Sequence, residues 1–158
     1  MAKNSLMGFP DKLNITVTCA SGVEKVLKSE LVRLGYQDCP AINGAVTFLG
    51  TPLDVARCNL NLRTADRVYI KLAEFAVDSF DSLFDAVSTL RWEDFLVKNA
   101  RIIVNGKCVK SKLYAISACQ SIIKKAISDR LCKRYGLSRL PEDGAEYAVE
   151  FSVLAMRI

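Results

Sequence analysis

The segment from Leu13 to Gly35 reads LNITVTCASGVEKVLKSELVRLG and contains a strand pattern followed directly by a helix pattern. Residues 13–20 alternate apolar and polar side chains, as a half-buried strand does. Ser21 and Glu24 have the spacing of a capping box, and Gly35 is suited to the left-handed end of a helix. Between them lies one apolar stripe, formed by Val23, Val26, Leu27, Leu31 and Leu34. The segment therefore predicts a strand and an amphipathic helix.

The residues up to 77 continue this order with a hairpin inserted. The predicted elements are strands at Tyr36–Ile42 and Ala45–Leu49 joined by Asn43-Gly44, a helix from Thr51-Pro52 to about Leu62, and a strand at Arg67–Val77. The order strand, helix, strand, strand, helix, strand predicts an α+β fold. We expect a ferredoxin-like βαββαβ domain over residues 1–77, with two helices covering one face of an antiparallel sheet.

A second α/β unit is predicted over residues 78–158. Its elements are a helix with the stripe Phe80, Leu83, Phe84, Val87 and Leu90, a helical turn at Trp92–Leu96, a strand at Ala100–Val104, a turn at Asn105-Gly106, a helix from about Ala118 to Tyr135 and a strand at Tyr147–Met156. Ser117 and Gln120 have capping-box spacing, and Gly136 ends the long helix. Because the chain stops at or inside a strand, we expect it to be the front part of a longer polypeptide.

The composition excludes several classes of function. The 158 residues include no histidine, which excludes His-dependent triads and His-containing metal sites. No apolar run approaches the ~18 residues of a membrane span, and the start lacks a secretory core, so we expect a soluble, cytoplasmic protein with no membrane partner. Six cysteines without a Cys-x-x-Cys pair favour reduced, buried thiols.

Motifs for catalysis and cofactor binding are missing from the sequence. No Gly-x-Gly turn, Walker pattern or Asn-Pro-Pro-Tyr-like motif occurs. Trp92 has apolar neighbours at helical spacing and is interpreted as packing, while the carboxylates of Asp81, Asp85, Glu93 and Asp94 are typical of a solvated helix face. We therefore expect this chain alone to have no catalytic residue, no metal site and no bound cofactor.

Positive charge is concentrated between Lys98 and Arg139. That segment holds eleven lysines and arginines against one acid, Asp129, which gives a local charge of +10 within a chain of net charge +5. Such segregation favours a polyanionic partner, because cations on a folded surface release counterions from phosphates. Nucleic acid is the first hypothesis, and we expect the cations to form one coherent surface. An anionic membrane surface and an acidic protein are the alternative partners, and a well-solvated helix is the structural alternative.

The candidate contacts fall into three groups. Lys107, Lys110, Ser111 and Lys112 surround the predicted turn and are suited to phosphate contacts. Lys124 and Lys125 project opposite the apolar stripe of the long helix, where they either contact phosphates or keep that face in water; Lys133 and Arg134 are explained by the helix dipole. Arg63 and Arg67 bracket Asp66 at the junction of a helix and a strand, as a structural joint or a ligand site. Tyr114 is interpreted as core rather than as a base-stacking ring.

Five stretches resemble a known family: TCASGVEKVLKSEL (18–31), ARCNLNLRTADRV (56–68), LRWEDFL (90–96), KCVKSKL (107–113) and CQSIIKKAI (119–127). They are similar to the amino-terminal part of bacterial THUMP-containing RNA methyltransferases, and most similar to the large-subunit ribosomal RNA guanine-N2 methyltransferase group. Members of this group have often been labelled N6-adenine-specific DNA methylases. The resemblance extends from about Ile15 to Met156.

The resemblance implies a ferredoxin-like domain followed by a THUMP domain that binds structured RNA, with ribosomal RNA as the expected partner, for a catalytic domain later in the chain. S-adenosylmethionine is then the cofactor of the full-length protein, and the methyltransferase domain and the end of the THUMP sheet are expected to be absent here. Three alternatives stay open at this point. They are the RNA-binding part of a thiouridine synthetase that modifies transfer RNA, part of a DNA adenine methylase, and a protein-interaction module.

Overall fold

The computed structural model describes residues 9–42, 44–109 and 115–154. The chain folds into two compact units, Met1–Leu72 and Ala73–Ile158. In the described part of the chain, no helix is both long enough and apolar enough to cross a membrane. All six cysteines are free thiols. The four that are buried agree with the predicted buried thiols, whereas Cys108 and Cys132 are half-buried.

The first unit has the predicted βαββαβ order. Its elements are β1 (Leu13–Thr18), α1 (Glu24–Arg33), β2 (Ala41–Ile42), β3 (Ala45–Gly50), α2 (Pro52–Asn61) and β4 (Arg67–Lys71). The strands form one sheet in the order β2-β3-β1-β4, and every neighbouring pair is antiparallel. This is the ferredoxin-like arrangement that the sequence predicts.

The core of the first unit lies between the sheet and its two helices. Alternate residues of the two central strands are buried, namely Leu13, Ile15 and Val17 of β1 and Val46 and Phe48 of β3. Leu27 and Leu31 of α1 and Cys58 of α2 are buried as well. Full burial of each large aliphatic side chain contributes about 2 kcal/mol, so these positions fix which face of the sheet the helices cover.

The predicted capping box at Ser21 is wrong. The helix begins at Glu24, with Val23 at the cap position and no side-chain cap. Gly22 has a φ of 93° and forms a turn there, which delays the helix. The Glu24 carboxylate instead accepts hydrogen bonds from the amides of Gly22 at 2.9 Å and Gly44 at 2.8 Å. Gly35, with a φ of 95°, follows the helix as predicted.

Two strands of this unit are shorter than predicted. Of the range Tyr36–Ile42 only Ala41–Ile42 is strand, because Asp38 has a left-handed φ of 53° and the Tyr36 hydroxyl donates to Asp54 at 2.7 Å. The strand predicted to end at Val77 stops at Lys71, which pairs with Asn14 near the start of β1. Asn43, the first residue of the predicted hairpin turn, lies outside the described residues.

The second unit pairs two parallel strands with two helices. It contains α3 (Phe80–Thr89), a 3₁₀ turn (Trp92–Asp94), β5 (Arg101–Val109), α4 (Ile116–Tyr135) and β6 (Glu146–Leu154). The apolar side of α4 is buried as predicted, at Cys119, Ile123, Ala126, Ile127 and Leu131. Gly136 ends this helix with a φ of 65°.

Two local predictions in this unit are wrong. Asn105-Gly106 is not a turn: both residues lie inside β5 and pair with Glu150 and Phe151 of β6. Ser117 and Gln120 do not form a capping box, because α4 begins one residue before Ser117, and the Gln120 side-chain amide donates to the backbone oxygen of Val104 at 2.9 Å. Gln120 thereby joins the helix to β5.

Candidate nucleic-acid interface

Lys107 lies on a strand rather than beside a turn. Ile102 and Val104 of β5 are buried, and Gln120 of α4 bonds to Val104, so the even-numbered residues of this strand face α4. Successive strand residues point to opposite faces, which places the exposed Lys107 on the side of the β5–β6 sheet away from α4. Its register partner on β6 is Ser152.

The other members of the first candidate group lie outside the described residues. These are Lys110, Ser111 and Lys112, together with Tyr114. Their position along the chain, between the end of β5 and the start of α4, follows from the element bounds alone. Their contact with RNA stays a prediction from the sequence.

The lysines of α4 have partners inside their own unit. Lys124 Nζ lies 3.0 Å from Glu142 Oε1, and Lys125 Nζ lies 5.9 Å from the centre of the Phe84 ring. An exposed ion pair contributes at most about 1 kcal/mol, so Lys124 remains exchangeable with a stronger anion. Because α4 covers the other side of the sheet, Lys124 and Lys125 are separated from Lys107.

Arg130 has a structural partner. Its guanidinium contacts both carboxylate oxygens of Glu93, at 2.8 and 3.2 Å, and donates to the backbone oxygen of Ser88. The Arg130 hydrogen bonds hold the pKa of Glu93 below its usual range. Arg130 therefore joins α4 to the segment around the 3₁₀ turn, and Glu93 is a pairing residue rather than part of a solvated face.

The expected single cationic surface is therefore wrong for the described residues. Lys107 lies on one side of the β5–β6 sheet, the α4 lysines lie on the other, and Lys124 and Arg130 are each paired with an acid. Lys133 and Arg134 are exposed in the last turn of α4, which is the position that the dipole interpretation requires. The local charge count omits Glu93 and Glu142 because both acids lie just outside the segment from 98 to 139.

Arg63 and Arg67 belong to the first unit, at the loop that joins α2 to β4. Glu30 of α1 organises this loop: its Oε2 accepts from the amides of Arg63 at 3.1 Å and Thr64 at 3.2 Å and from the Thr64 hydroxyl at 3.0 Å. Both arginines are exposed. Arg67 is the first residue of β4, which also contains Tyr69 and Lys71. The period-two pattern of this strand places Tyr69 on the same face as the two cations, but Tyr69 is not among the candidates predicted from the sequence.

Protonation of Glu30 should loosen this loop. Burial alone would raise the pKa of Glu30, but the bonds from Arg63 and Thr64 outweigh it and hold the pKa below its ordinary 4.5. A depressed pKa adds stability above the unfolded value, and that stability is lost as pH falls through the folded pKa. We expect Glu30→Gln to lower the free energy of unfolding of the first unit by about 1 kcal/mol at pH 7 and by much less at an acidic pH below the folded pKa of Glu30.

Urea unfolding followed by circular dichroism at both pH values measures this difference. Asp11→Asn, which changes an exposed acid of the same unit, is the matched control and is expected to have little effect at either pH. An equal loss for Glu30→Gln at both pH values would contradict the role given to the ionised carboxylate.

The groove beside α1 lacks the groups that bind S-adenosylmethionine. A groove of about 510 Å³ runs along one side of α1 and is lined by Lys25, Lys28, Ser29, Val32 and Arg33. It contains no carboxylate for ribose hydroxyls and no glycine turn that would let a backbone approach the ligand. Among the described residues, no group of three or more cysteine and acid side chains is placed to hold a metal ion.

Family comparisons agree with both units. The RlmL ferredoxin-like domain model matches residues 14–69, and the THUMP domain model matches residues 77–156. "Putative RNA methyltransferase YpsC" of Bacillus subtilis is 41% identical over 145 residues, which are 90% of this chain and 37% of that protein. "Ribosomal RNA large subunit methyltransferase K/L" of Pseudomonas aeruginosa is 33% identical over 80% of this chain and 17% of its own length.

A solved structure has the same fold over most of the chain. It is SMU.472, described as "a putative methyltransferase complexed with SAH", with a TM-score of 0.89 and 39% identity over 92% of this chain and 40% of that one. The chain thus spans about two fifths or less of the length of these relatives. The two family models together cover most of its residues. The chain belongs to the THUMP family, and it carries an RlmL ferredoxin-like domain in front of its THUMP domain.

Proposed function

We propose that this chain is the RNA-binding part of a cytoplasmic, S-adenosylmethionine-dependent methyltransferase that acts on ribosomal RNA. The observation that carries the proposal is the overlap of the basic segment from Lys98 to Arg139 with the THUMP match over residues 77–156. The names of the relatives support the reaction, and the SAH in the SMU.472 structure supports the cofactor. We keep 1–77 and 78–158 as the proposed domain bounds.

The segment from Lys107 to Lys112 is the proposed contact with structured RNA. Lys107 is exposed at the far end of β5, and Lys110 and Lys112 follow it within five residues. Lysine side chains at this spacing neutralise phosphates and release counterions, so affinity falls steeply with salt. In the longer protein this contact would position the target base, and we propose guanine N2 as its methyl acceptor.

Salt-dependent binding of a folded RNA tests the proposal. The purified chain is titrated with an RNA hairpin between about 50 and 200 mM salt, and we expect affinity to fall by at least about tenfold over this range. Lys107→Ala, Lys110→Ala and Lys112→Ala together should lower affinity about tenfold at the lower salt and reduce the salt slope by about two to three.

A charge-matched variant shows whether binding depends on the Lys107–Lys112 segment or only on the total positive charge of the unit. Lys124→Ala, Lys125→Ala and Lys133→Ala remove the same charge from α4, and we expect a much smaller loss. A DNA hairpin and polyglutamate distinguish the DNA-methylase and protein-interaction alternatives: equal or tighter binding to either one contradicts an RNA-specific module. Mass spectrometry of nucleosides from large-subunit RNA treated with the longer protein tests guanine N2 directly.

A further inference from the structure

The sheet of the first unit has a second face that its helices do not cover. Ile15 and Val17 of β1 are buried toward α1 and α2, so Thr16 lies on the opposite face. The strand register places Thr47 of β3 and Tyr69 of β4 directly beside Thr16. The hydroxyls of Thr16 and Thr47 are 2.9 Å apart, which confirms that both side chains occupy this face. Thr47 of β3, Thr16 of β1 and Tyr69 of β4 therefore form one row across three neighbouring strands.

Two cations flank the tyrosine on the same face. Arg67 and Lys71 are two residues before and after Tyr69 on β4, and both are exposed. Their register partners on β1 are Thr18 and Asn14. The edge strand therefore presents an aromatic ring between two positive charges, next to hydroxyl and amide groups.

The other paired strand positions that the structure describes on this face carry no charge. Across β1, β3 and β4, none of the described residues in these registers is an aspartate or a glutamate. Leu49 at the end of β3 is 66% exposed and Ile42 at the edge of β2 is 68% exposed. The face therefore combines positive charge with flat apolar surface, and these paired strand positions hold no acid that would repel an anion.

Positive charge beside an aromatic ring favours one class of polyanion over the others. Phosphates complement Arg67 and Lys71, while the half-buried ring of Tyr69 between them offers a stacking surface that only an unpaired base can reach. A base-paired helix keeps its bases stacked inside, and the aspartate and glutamate side chains of an acidic peptide offer no aromatic ring to stack on Tyr69. Threonine hydroxyls and the Asn14 amide supply hydrogen bonds for base edges or ribose 2′-hydroxyls.

We propose that the face formed by β1, β3 and β4 binds a single-stranded segment of RNA, with a base stacked on Tyr69 and phosphates at Arg67 and Lys71. The inference rests on the proposed function, because RNA is the ligand both of this sheet face and of the Lys107–Lys112 segment. It assigns an unpaired segment to the ferredoxin-like domain and leaves structured RNA to the THUMP domain. The two sites therefore respond to different ligands and to different substitutions.

Titration of the whole chain with an oligouridylate of about 10 nucleotides and with the RNA hairpin tests the inference. Tyr69→Ala should weaken oligouridylate binding about tenfold and change hairpin binding less than about twofold, while Tyr69→Phe keeps the ring and stays within about twofold for both. Arg67→Ala with Lys71→Ala should reduce the salt slope for oligouridylate. Lys28→Ala with Arg33→Ala, on the helix side of the same unit, is the charge-matched control.

Amide chemical shifts of the unmodified chain provide a second readout that needs no variant. Oligouridylate should shift residues of β1, β3 and β4, and this result would support the site even if Tyr69→Ala failed to fold. Unchanged affinity in Tyr69→Ala and in the double variant, or shifts confined to other elements, would overturn the inference. Hairpin binding without salt dependence would instead contradict the proposed function and leave the result on the sheet face standing.

Discussion

Replacing Gly106 by alanine is expected to destabilise the second unit by about 3 kcal/mol. Gly106 lies inside β5 and pairs with Phe151 of β6. A Cβ atom on Gly106 would overlap the Phe151 carbonyl oxygen and ring atom Cδ1, and it would lie 2.6 Å from Cε1. The ring can rotate away, but the oxygen belongs to the backbone of a paired strand. Relief of the overlap therefore requires β5 and β6 to separate locally.

Fluorescence of Trp92, the one tryptophan of the chain, reports on the unfolding of the second unit. Urea titration of the Gly106→Ala chain should show an earlier transition, and the adjacent Asn105→Ala should stay within about 0.5 kcal/mol of the unmodified chain because its side chain is exposed. The close approach of the two strands would be disproved by a Gly106→Ala chain as stable as that control.

The two Asn-Gly pairs show how far local sequence determines the fold. The sequence predicts a hairpin turn at Asn43-Gly44, and Gly44 has the required positive φ of 75°. The same two residues at 105 and 106 also predict a turn, yet they continue a strand. The difference comes from Phe151, which is far away in the sequence and fills the space beside Gly106. Periodicity predicts helices and strands well here because many residues on one face of each element are buried together. A single dipeptide, in contrast, does not specify its tertiary partner.

The candidate interface shows that the charge pattern of a sequence, like a single dipeptide, does not specify tertiary partners. The sequence shows that cations are concentrated in one segment of the chain, but it does not tell which of them are already paired. Arg130 meets Glu93 across 37 residues and Lys124 meets Glu142 across 18, and neither acid belongs to the basic segment. Strand alternation then separates Lys107 from α4. The local charge of +10 therefore overstates the charge that this segment can offer to one RNA surface.

Replacing Trp92 by alanine is expected to cost about 4 kcal/mol, the largest loss for a single side chain in the second unit. Trp92 is 3% exposed, and its indole N–H donates to the backbone oxygen of Val87 at 2.8 Å, near the end of α3. Removing the ring leaves a cavity beside the 3₁₀ turn, and it releases the end of α3. If the second unit has an ordinary free energy of unfolding, the Trp92→Ala variant would retain only a few kcal/mol of it.

Trp92→Phe separates the ring from its hydrogen bond. Phenylalanine fills most of the volume but cannot donate to Val87, whose oxygen still accepts from the Leu90 amide at 3.3 Å, so we expect a loss of about 1 to 2 kcal/mol. Val97→Ala, at a position that is 39% exposed, should cost less than about 1 kcal/mol. Because the tryptophan reporter is lost, urea unfolding is followed by circular dichroism. If the alanine and phenylalanine variants lose the same stability, the cavity is not the main cause of the loss. If both match Val97→Ala, Trp92 does not hold the end of α3 in place.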